Sequence, residues 1–217
     1  MTDSLIRHKI YEKLRSDILS CTLTPGLQFR ENELAEKFGV SKSPIRDALQ
    51  RLEIEGLIEI EPRRGHRVAP ISIADAEDIL NLREILEAGA LRTIAAQATD
   101  AELAALDALR EADTTDLNAF ADYNRRFHLA LCEASGNRRL AASMAGLMEN
   151  YDRLCIVSLS SGRDEIGSMA DALADHNTII DALQARNARA AVRASAKHVK
   201  KSRTKVMRGL ENRPVVA

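Results

Sequence analysis

The chain has 217 residues, of which 45% are apolar and only 3% are aromatic, and its formal net charge is −1. This length accommodates one large domain or two small ones, and a composition dominated by Ala and Leu favours packed helices over sheets. The near-zero charge excludes a protein coated in positive charge, and no apolar stretch is long enough to predict a membrane span.

The cysteines and the N-terminus predict the compartment. Cys21, Cys132 and Cys155 lie far apart without metal-binding or redox spacing, which predicts buried thiols in a reducing compartment. The sequence shows neither a signal-peptide pattern nor a transmembrane run. We therefore expect a cytoplasmic protein with no membrane partner.

A helix, a turn and a short strand are predicted before residue 30. The helix covers residues 5–21, because four apolar residues share one helical stripe: Ile6, Ile10, Leu14 and Ile18. Thr24-Pro25-Gly26 predicts a turn, and Leu27 to Phe29 predicts a short strand.

Two short helices separated by a glycine come next. The first covers Glu31 to Phe38 and ends at Gly39. Either Ser41 or Ser43 can cap the second helix, which tolerates a proline in its first turn because first-turn N–H groups lack helical partners. Its apolar residues recur at helical spacing and are predicted to face the core: Ile45, Leu49, Leu52 and Ile54.

A hairpin with a basic tip follows the second helix. Leu57 to Glu61 mixes apolar residues with Glu and predicts a strand, and Val68 is predicted to start the return strand. The residues between them form the predicted tip: Arg63, Arg64, Gly65, His66 and Arg67. Two helices joined by a glycine turn and followed by a basic hairpin predict a winged helix-turn-helix, whose second helix enters the DNA major groove.

The residues predicted to contact DNA lie on the two helices of the motif and on the hairpin: Asn32, Ser41, Lys42, Ser43, Arg46, Arg51, Arg63, Arg64, Gly65 and His66. The alternative is an ordinary helical hairpin with scattered surface charge. Residues 1–70 carry 12 Lys and Arg against 11 Asp and Glu. DNA affinity must therefore come from clustered groups and from the pairing of two copies.

This N-terminal segment resembles the winged helix-turn-helix of the GntR family of bacterial transcription regulators. The sequence differs from the family pattern at Asn32, where many relatives have an arginine that holds a phosphate or a base. We therefore do not expect this chain to share the operator preference of those relatives unchanged. The residues that carry the resemblance are Pro25-Gly26, Glu33-Leu34-Ala35, Gly39-Val40-Ser41, Pro44 to Leu49, Leu52, Gly56-Leu57-Ile58 and Arg64-Gly65.

Long helical patterns begin after residue 70, where we place a domain boundary between residues 1–70 and 71–217. On the first of these helices, Ile79, Leu82, Leu86 and Ala90 are predicted to face inward. Ser160-Ser161-Gly162 is predicted to break the chain between the fourth and fifth helices. Six helices joined by short loops predict an antiparallel bundle, so the fold class is mostly α. The six helices are predicted at 73–98, 99–112, 116–135, 137–159, 168–186 and 187–209.

Three of the five histidines lie in the predicted bundle. His176 lies 10 residues before Arg186 and His198 lies 11 residues after Asn187, so a hairpin that turns at this pair brings both imidazoles to the same height. His128 shares a helical face with Asn124, one turn earlier. Each histidine alone is also consistent with an ordinary core or surface position. Three neutral imidazoles that converge match the preferences of Zn²⁺ or another divalent transition metal.

The bundle resembles the FCD ligand-binding domain of the FadR subfamily, and its six helices resemble the shorter, VanR-like branch. The resemblance implies that His128, His176 and His198 bind a metal, with Asn124 at the position where relatives have an aspartate. Zinc is the expected metal, with nickel, manganese or iron as alternatives. The motifs that carry the resemblance are Leu82-Arg83 through Glu87, Phe127-His128, Ala134 to Asn137, and the pair His176 and His198.

The two resemblances together predict a ligand-responsive regulator that is not an enzyme. A homodimer would present two helix-turn-helix motifs to a pseudo-palindromic double-stranded operator, and the metal would offer an open position to a small carboxylate effector. Arg83 can bind that carboxylate, or it can form a salt bridge with Glu84 or Glu87. Effector binding is expected to relieve repression. A metal sensor without an organic effector and a three-histidine metalloenzyme are the alternatives.

Overall fold

The structure, a computed structural model of the chain, describes residues 3–159 and 165–211. The chain divides into two compact units between Ser72 and Ile73. Among the described helices, none combines the length and the apolar character that a membrane crossing requires.

The residues of the N-terminal unit that the structure describes form three helices and a small sheet. Its antiparallel sheet has the strand order β1-β3-β2, with Phe29 opposite His66 and Ile60 opposite the same residue. The elements are α1 (Asp3–Leu19), β1 (Gln28–Phe29), α2 (Glu31–Phe38), α3 (Lys42–Ile54), β2 (Ile58–Glu61) and β3 (Gly65–Val68). This is the predicted winged helix-turn-helix arrangement.

Apolar stripes on the helices build the core of this unit. Gly39 adopts the left-handed conformation, φ 63°, and its N–H and that of Val40 bond carbonyls of α2, so the chain turns sharply into α3. Ile54 was predicted to face this core but is 86% exposed, because two residues beyond Leu52 correspond to about 200° around the helix. The central residues of the core are Ile10, Leu14, Ile18, Ile45, Leu49, Leu52 and Ile58.

The hairpin of β2 and β3, which is the wing of the motif, differs from its prediction in where the return strand starts. Strand β3 begins at Gly65 and not at Val68, so the turn itself contains only residues 62–64. Arg67 lies inside β3, where it pairs with Glu59 and Glu61 on β2. Gly65 has φ 104°, and a Cβ there would lie 2.6 Å from the carbonyl oxygen of Phe29, so a glycine is required where β3 approaches β1.

The described residues of the C-terminal unit form a bundle of six α-helices, which confirms the predicted fold class. Two of them have side-chain caps at the N-terminus: Thr99 and Glu102 make a capping box, and Asp116 accepts from the N–H of Ala119 at 2.6 Å. The predicted break at residues 160–162 lies outside the described residues. The helices are α4 (Ile73–Gln97), α5 (Asp100–Ala105), α6 (Leu117–Ala134), α7 (Arg138–Leu159), α8 (Glu165–Gln184) and α9 (Ala188–Glu211).

Helix α5 is shorter than predicted. It gives way to a 3₁₀ turn over Leu106–Leu109 instead of running to residue 112. Side chains from other helices bind the carbonyls at this end: Tyr123 donates to Leu109 at 2.9 Å, and Asn177 donates to Arg110 at 3.2 Å. These bonds replace the ones that a longer helix would have made.

Helix α4 buries a face that only partly matches the predicted one: Ala90 is completely buried as predicted, whereas Ile79 and Leu86 are half-buried. Leu82 was expected in the core but is 46% exposed, whereas Leu80, Arg83 and Glu87 are completely buried. The buried face therefore combines apolar residues with an ion pair, which a search for apolar spacing cannot detect. Of the three cysteines that were predicted to be buried, only Cys132 is; the other two are half-buried, and all three are free thiols.

Candidate metal centre and DNA-binding surface

Three imidazoles from three helices meet inside the C-terminal unit. His128 lies on α6, His176 on α8 and His198 on α9, and none is more than 3% exposed. The Nε2 atoms of His176 and His198 lie 3.3 Å apart. One ring nitrogen from each of the three histidines can be chosen such that all three atoms lie within 4.8 Å of one another.

The hairpin of α8 and α9 sets the height of two of these rings. Arg186 adopts a left-handed conformation at the turn, φ 52°, and the side chain of Asn187 accepts from the N–H of Ala190 at the start of α9. The ring of Phe127 stacks on His176, with ring centroids 3.9 Å apart. The turn and this packing therefore bring the imidazoles together, as the spacing of the two histidines predicts.

A polar partner outside the cluster contacts the second nitrogen of each ring. Nδ1 of His128 lies 2.9 Å from Glu87, and Nδ1 of His176 lies 3.1 Å from the hydroxyl of Tyr123. Nδ1 of His198 lies 3.7 Å from Asp175. A partner at Nδ1 leaves Nε2 of the same ring for a metal, as is typical of metal-binding histidines. Nε2 of His176 and Nε2 of His198 lie 3.3 Å apart, and Nε2 of His128 lies 3.3 Å from Oδ1 of Asn124.

These outer partners were not predicted from the sequence. Glu87 was predicted only to form a salt bridge with Arg83, and no role was predicted for Tyr123 or Asp175. Tyr123 and Asp175 each directly precede a predicted ligand, Asn124 and His176. That adjacency alone is not informative, because neighbouring residues on a helix point about 100° apart.

Burial keeps the three imidazoles neutral. Desolvation is the main reason why the pKa of His128 is lowered to about 3; the charge of Arg83 acts in the same direction, and Glu87 opposes both. Desolvation also lowers the pKa of His176 well below its usual value, and it lowers that of His198 although Asp175 acts in the opposite direction. Neutral rings carry the lone pairs that a metal requires.

Arg83 lies against the cluster as half of a buried ion pair. Its Nε donates to Glu87 at 2.7 Å, and both side chains are 0% exposed. Burial by itself raises the pKa of Glu87, but His128 and Arg83 hold that pKa well below its usual range. Glu87 also accepts from the hydroxyl of Ser195 at 2.6 Å. Arg83 therefore forms the predicted salt bridge with Glu87. Its predicted contact with an effector stays a prediction.

The donor set fits a transition metal. Four tetrahedral ligands at 2.0–2.1 Å from zinc lie about 3.4 Å from one another, close to the 3.3 Å between His176 and His198. Asn124 Oδ1 lies 3.3 Å from Nε2 of His128, so it can serve as a fourth ligand, and an effector carboxylate would then be the fifth. Nη2 of Arg83 lies 2.5 Å from the same His128 nitrogen. A metal at His128 would therefore replace the guanidinium as the cation at that atom.

A cavity of about 110 Å³ opens beside the imidazoles. Asn124 and His198 belong both to its lining and to the predicted metal site, so the cavity reaches the cluster directly. Arg83 is not among the described residues that line it. Desolvation raises the pKa of Asp152, also in the lining, to about 6, although Arg125 opposes that shift.

In the N-terminal unit, one carboxylate joins the three elements predicted to meet DNA. Glu31, at the start of α2, lies 3.0 Å from Nη2 of Arg46 on α3 and 3.7 Å from the ring of His66 on β3. The helix-turn-helix and the wing are therefore adjacent at this surface. Arg46 is 60% exposed, and Lys42 is exposed as well, as contact with DNA requires.

The remaining predicted DNA contacts differ in how far they are exposed. His66 is only 13% exposed and stacks on Phe29, and Gly65 is half-buried. Arg51 is exposed, but its guanidinium lies 3.6 Å above the ring of Tyr11. The other exposed residues among the predicted DNA contacts are Asn32, Ser41, Ser43, Arg63 and Arg64.

A winged helix-turn-helix joined to an all-helical unit with a buried histidine cluster defines a class of bacterial DNA-binding regulators. The sequence comparisons agree: residues 6–68 match the gntR family of bacterial regulatory proteins, and residues 78–201 match the FCD domain. The chain therefore belongs to the GntR family of transcription regulators and carries an FCD domain.

Relatives and solved structures are consistent with this membership. An HTH-type transcriptional regulator from an unstable DNA locus of Streptomyces ambofaciens is 33% identical over 82% of this chain and 75% of its own length. The HTH-type transcriptional repressor RspR of Escherichia coli K12 is 29% identical over 89% of this chain and 86% of its own. The solved structure of E. coli McbR/YncC covers 94% of this chain and 98% of that one with a TM-score of 0.74, and at 20% identity it shows the fold alone.

Proposed function

We propose that this chain is a ligand-responsive transcription repressor whose helical unit binds a divalent metal and, at that metal, a small carboxylate effector. The observation that carries the proposal is the outward orientation of Nδ1 in all three buried histidines. Glu87, Tyr123 and Asp175 contact these nitrogens, which leaves Nε2 of each ring for the metal. Zinc is the metal we propose first.

Residues 1–70 would read the operator. Arg46 pairs with Glu31 at the protein surface, where an ion pair contributes little stability, so a phosphate or a guanine can replace Glu31 on binding. The exposed wing arginines, Arg63 and Arg64, are placed to contact the DNA backbone. A homodimer formed through residues 71–217 would present two such surfaces to a pseudo-palindromic operator.

In the helical unit, His128, His176 and His198 would hold the metal, with Asn124 as a fourth ligand. Asn124 brings no charge, so two positive charges remain for an anionic effector to balance. The bound metal would supply an open coordination position for a carboxylate. Glu87 is already committed to Arg83, His128 and Ser195, so this buried carboxylate is not placed to act as a general base. These contacts favour a binding site over a catalytic one.

Repression is the activity we propose for the free protein, and the E. coli relative named as a repressor supports it. Effector binding would change the equilibrium between two arrangements of the DNA-binding surfaces and weaken operator affinity. A difference of about 1–3 kcal/mol in coupling free energy corresponds to about 5–150-fold in affinity.

Metal analysis of purified full-length protein and of its His128→Ala variant tests the proposal. We expect about one zinc ion per chain in the wild type and a loss of zinc in the variant, with His8→Ala, an exposed histidine of α1, as the matched control. Binding to the chain's operator, identified by in vitro selection, is then measured with zinc alone and with zinc plus carboxylic acids. A response to zinc alone indicates a metal sensor. If His128→Ala retains zinc, the metal is not bound at the proposed site.

A further inference from the structure

The chemistry of the cavity beside the histidine cluster restricts the effector further. Four helices contribute to its lining, which includes Asn124 and His198 from the predicted metal site. Six of its other lining residues are apolar, and the polar ones include Lys205, which lies one helical turn beyond Ser202 on α9. The apolar residues are Leu117, Phe120, Ala121, Met169, Ala172 and Val206. The aromatic ring of Tyr151 also lines it. A ligand whose head group lies at the histidines would therefore place its body against apolar side chains.

Several polar groups of this lining already have partners within the protein. The carboxylate of Asp152 accepts from Nε of Arg125 at 3.0 Å. Tyr151 forms side-chain hydrogen bonds with Ser202 and Cys155. A body with many hydroxyl groups would have to break these bonds or bury its own hydroxyls without partners, and both are unfavourable.

The cavity is partly open, so its volume indicates the size of the part of the body that the protein encloses. An engineered apolar cavity of about 150 Å³ binds benzene, and this cavity, at about 110 Å³, is somewhat smaller. A body of roughly three to six carbon atoms fits such a space, with its carboxylate at the side where Asn124 and His198 lie.

We propose that the effector is a small monocarboxylate with an apolar body, branched aliphatic or a single aromatic ring, and not a polyhydroxylated sugar acid. The inference rests on the proposed function, because the metal and the histidine cluster supply the site for the carboxylate. It goes further by naming the chemical class that the remaining surface of the cavity selects.

The test uses the zinc-loaded full-length protein and isothermal titration calorimetry with four probes: acetate, 3-methylbutanoate, benzoate and D-glucuronate. Acetate carries the head group alone, and glucuronate carries the same head group on a hydroxylated ring. We expect 3-methylbutanoate or benzoate to bind at least tenfold more tightly than acetate and glucuronate. Equal or tighter binding of glucuronate would overturn the inference and leave the proposed carboxylate site standing.

A matched pair of variants tests where the probes bind. Ala172→Leu places extra volume in the cavity without removing a predicted ligand, whereas Ala174 lies on the exposed side of the same helix. We expect Ala172→Leu to lose at least tenfold in affinity for the apolar probe while it retains zinc, and Ala174→Leu to behave as the wild type. Ala121→Leu, on α6, replaces Ala172→Leu if that variant does not fold.

The outcomes separate the two proposals. Unchanged affinity for the apolar probe in both Ala172→Leu and Ala121→Leu would show that it binds elsewhere, and would overturn the inference. If the wild type binds zinc but none of the four carboxylates, the effector role in the proposed function fails together with the inference. If the wild type does not bind zinc, the metal site itself is wrong, whatever the cavity binds.

Discussion

The two units of this chain use charged residues in opposite ways. In the N-terminal unit the ion pair of Arg46 and Glu31 is at the surface, with Arg46 60% exposed. In the C-terminal unit Arg83 and Glu87 form a pair in which both side chains are completely buried. An exposed pair exchanges partners at little cost, whereas a buried one keeps its geometry because separating it leaves a charge without solvent. The first arrangement suits a surface that must accept DNA phosphates, and the second suits a site whose ligands must be held in place.

The largest effect is expected from breaking the buried pair. Arg83→Met leaves Glu87 buried and charged, so we expect the free energy of unfolding of the helical unit to fall by about 3–5 kcal/mol. The double variant Arg83→Met/Glu87→Gln should recover most of that loss, because it leaves no isolated charge. Urea denaturation followed by circular dichroism measures both. A loss below about 1 kcal/mol in the single variant would mean that the pair is not buried as the structure has it.

An intermediate effect is expected from the outer partner of His198. Asp175→Asn removes the carboxylate beside Nδ1 of that ring, and we expect zinc affinity to fall about 10–100-fold, as for other outer-shell substitutions. Competition with a zinc-binding indicator measures the change. Asp181→Asn, on the same helix but paired with Arg110 at the surface, serves as control and should change nothing. Equal affinities in the two variants would contradict the outer-shell role of Asp175.

The smallest effect is expected at the DNA-binding surface. Lys42→Ala removes one exposed cation at the start of α3. The negative slope of log affinity against log salt concentration should therefore become shallower by about 0.9. At 0.1 M salt this corresponds to roughly a tenfold loss of affinity for a generic duplex, measurable by fluorescence anisotropy. Lys37→Ala, at the end of α2, is the control. If both variants have the wild-type salt slope, α3 does not lie against the DNA backbone as proposed.

The helices and the sheet of both units follow from local patterns. Ile10, Leu14 and Ile18 on one stripe of α1 are sufficient to predict that helix and its buried face. The caps at Thr99 and Asp116 are equally local, because a short polar side chain needs only the backbone three residues ahead. The return strand of the wing was misplaced because residues 65–67 carry polar or small side chains, although their backbone pairs with both neighbouring strands.

The meeting of His176 and His198 could also be predicted from the sequence. A hairpin that turns at Arg186 and Asn187 places residues at equal distances from the turn opposite each other, so His176 and His198 meet whatever the loop detail. The inward face of α4 was not accessible in the same way. Arg83 and Glu87 are charged, and contacts with His128, Tyr151 and Ser195 on other helices help to make their burial favourable.

The sequence by itself determined the order of the helices, the winged helix-turn-helix and the meeting of His176 with His198, because periodicity, caps and hairpin register depend on residues that are close along the chain. Only the tertiary structure decided which polar groups contact the outer nitrogens of those rings, which face of α4 is buried and what chemistry lines the cavity. Those features depend on side chains that are distant in sequence and whose burial is stable only when all the partners are present.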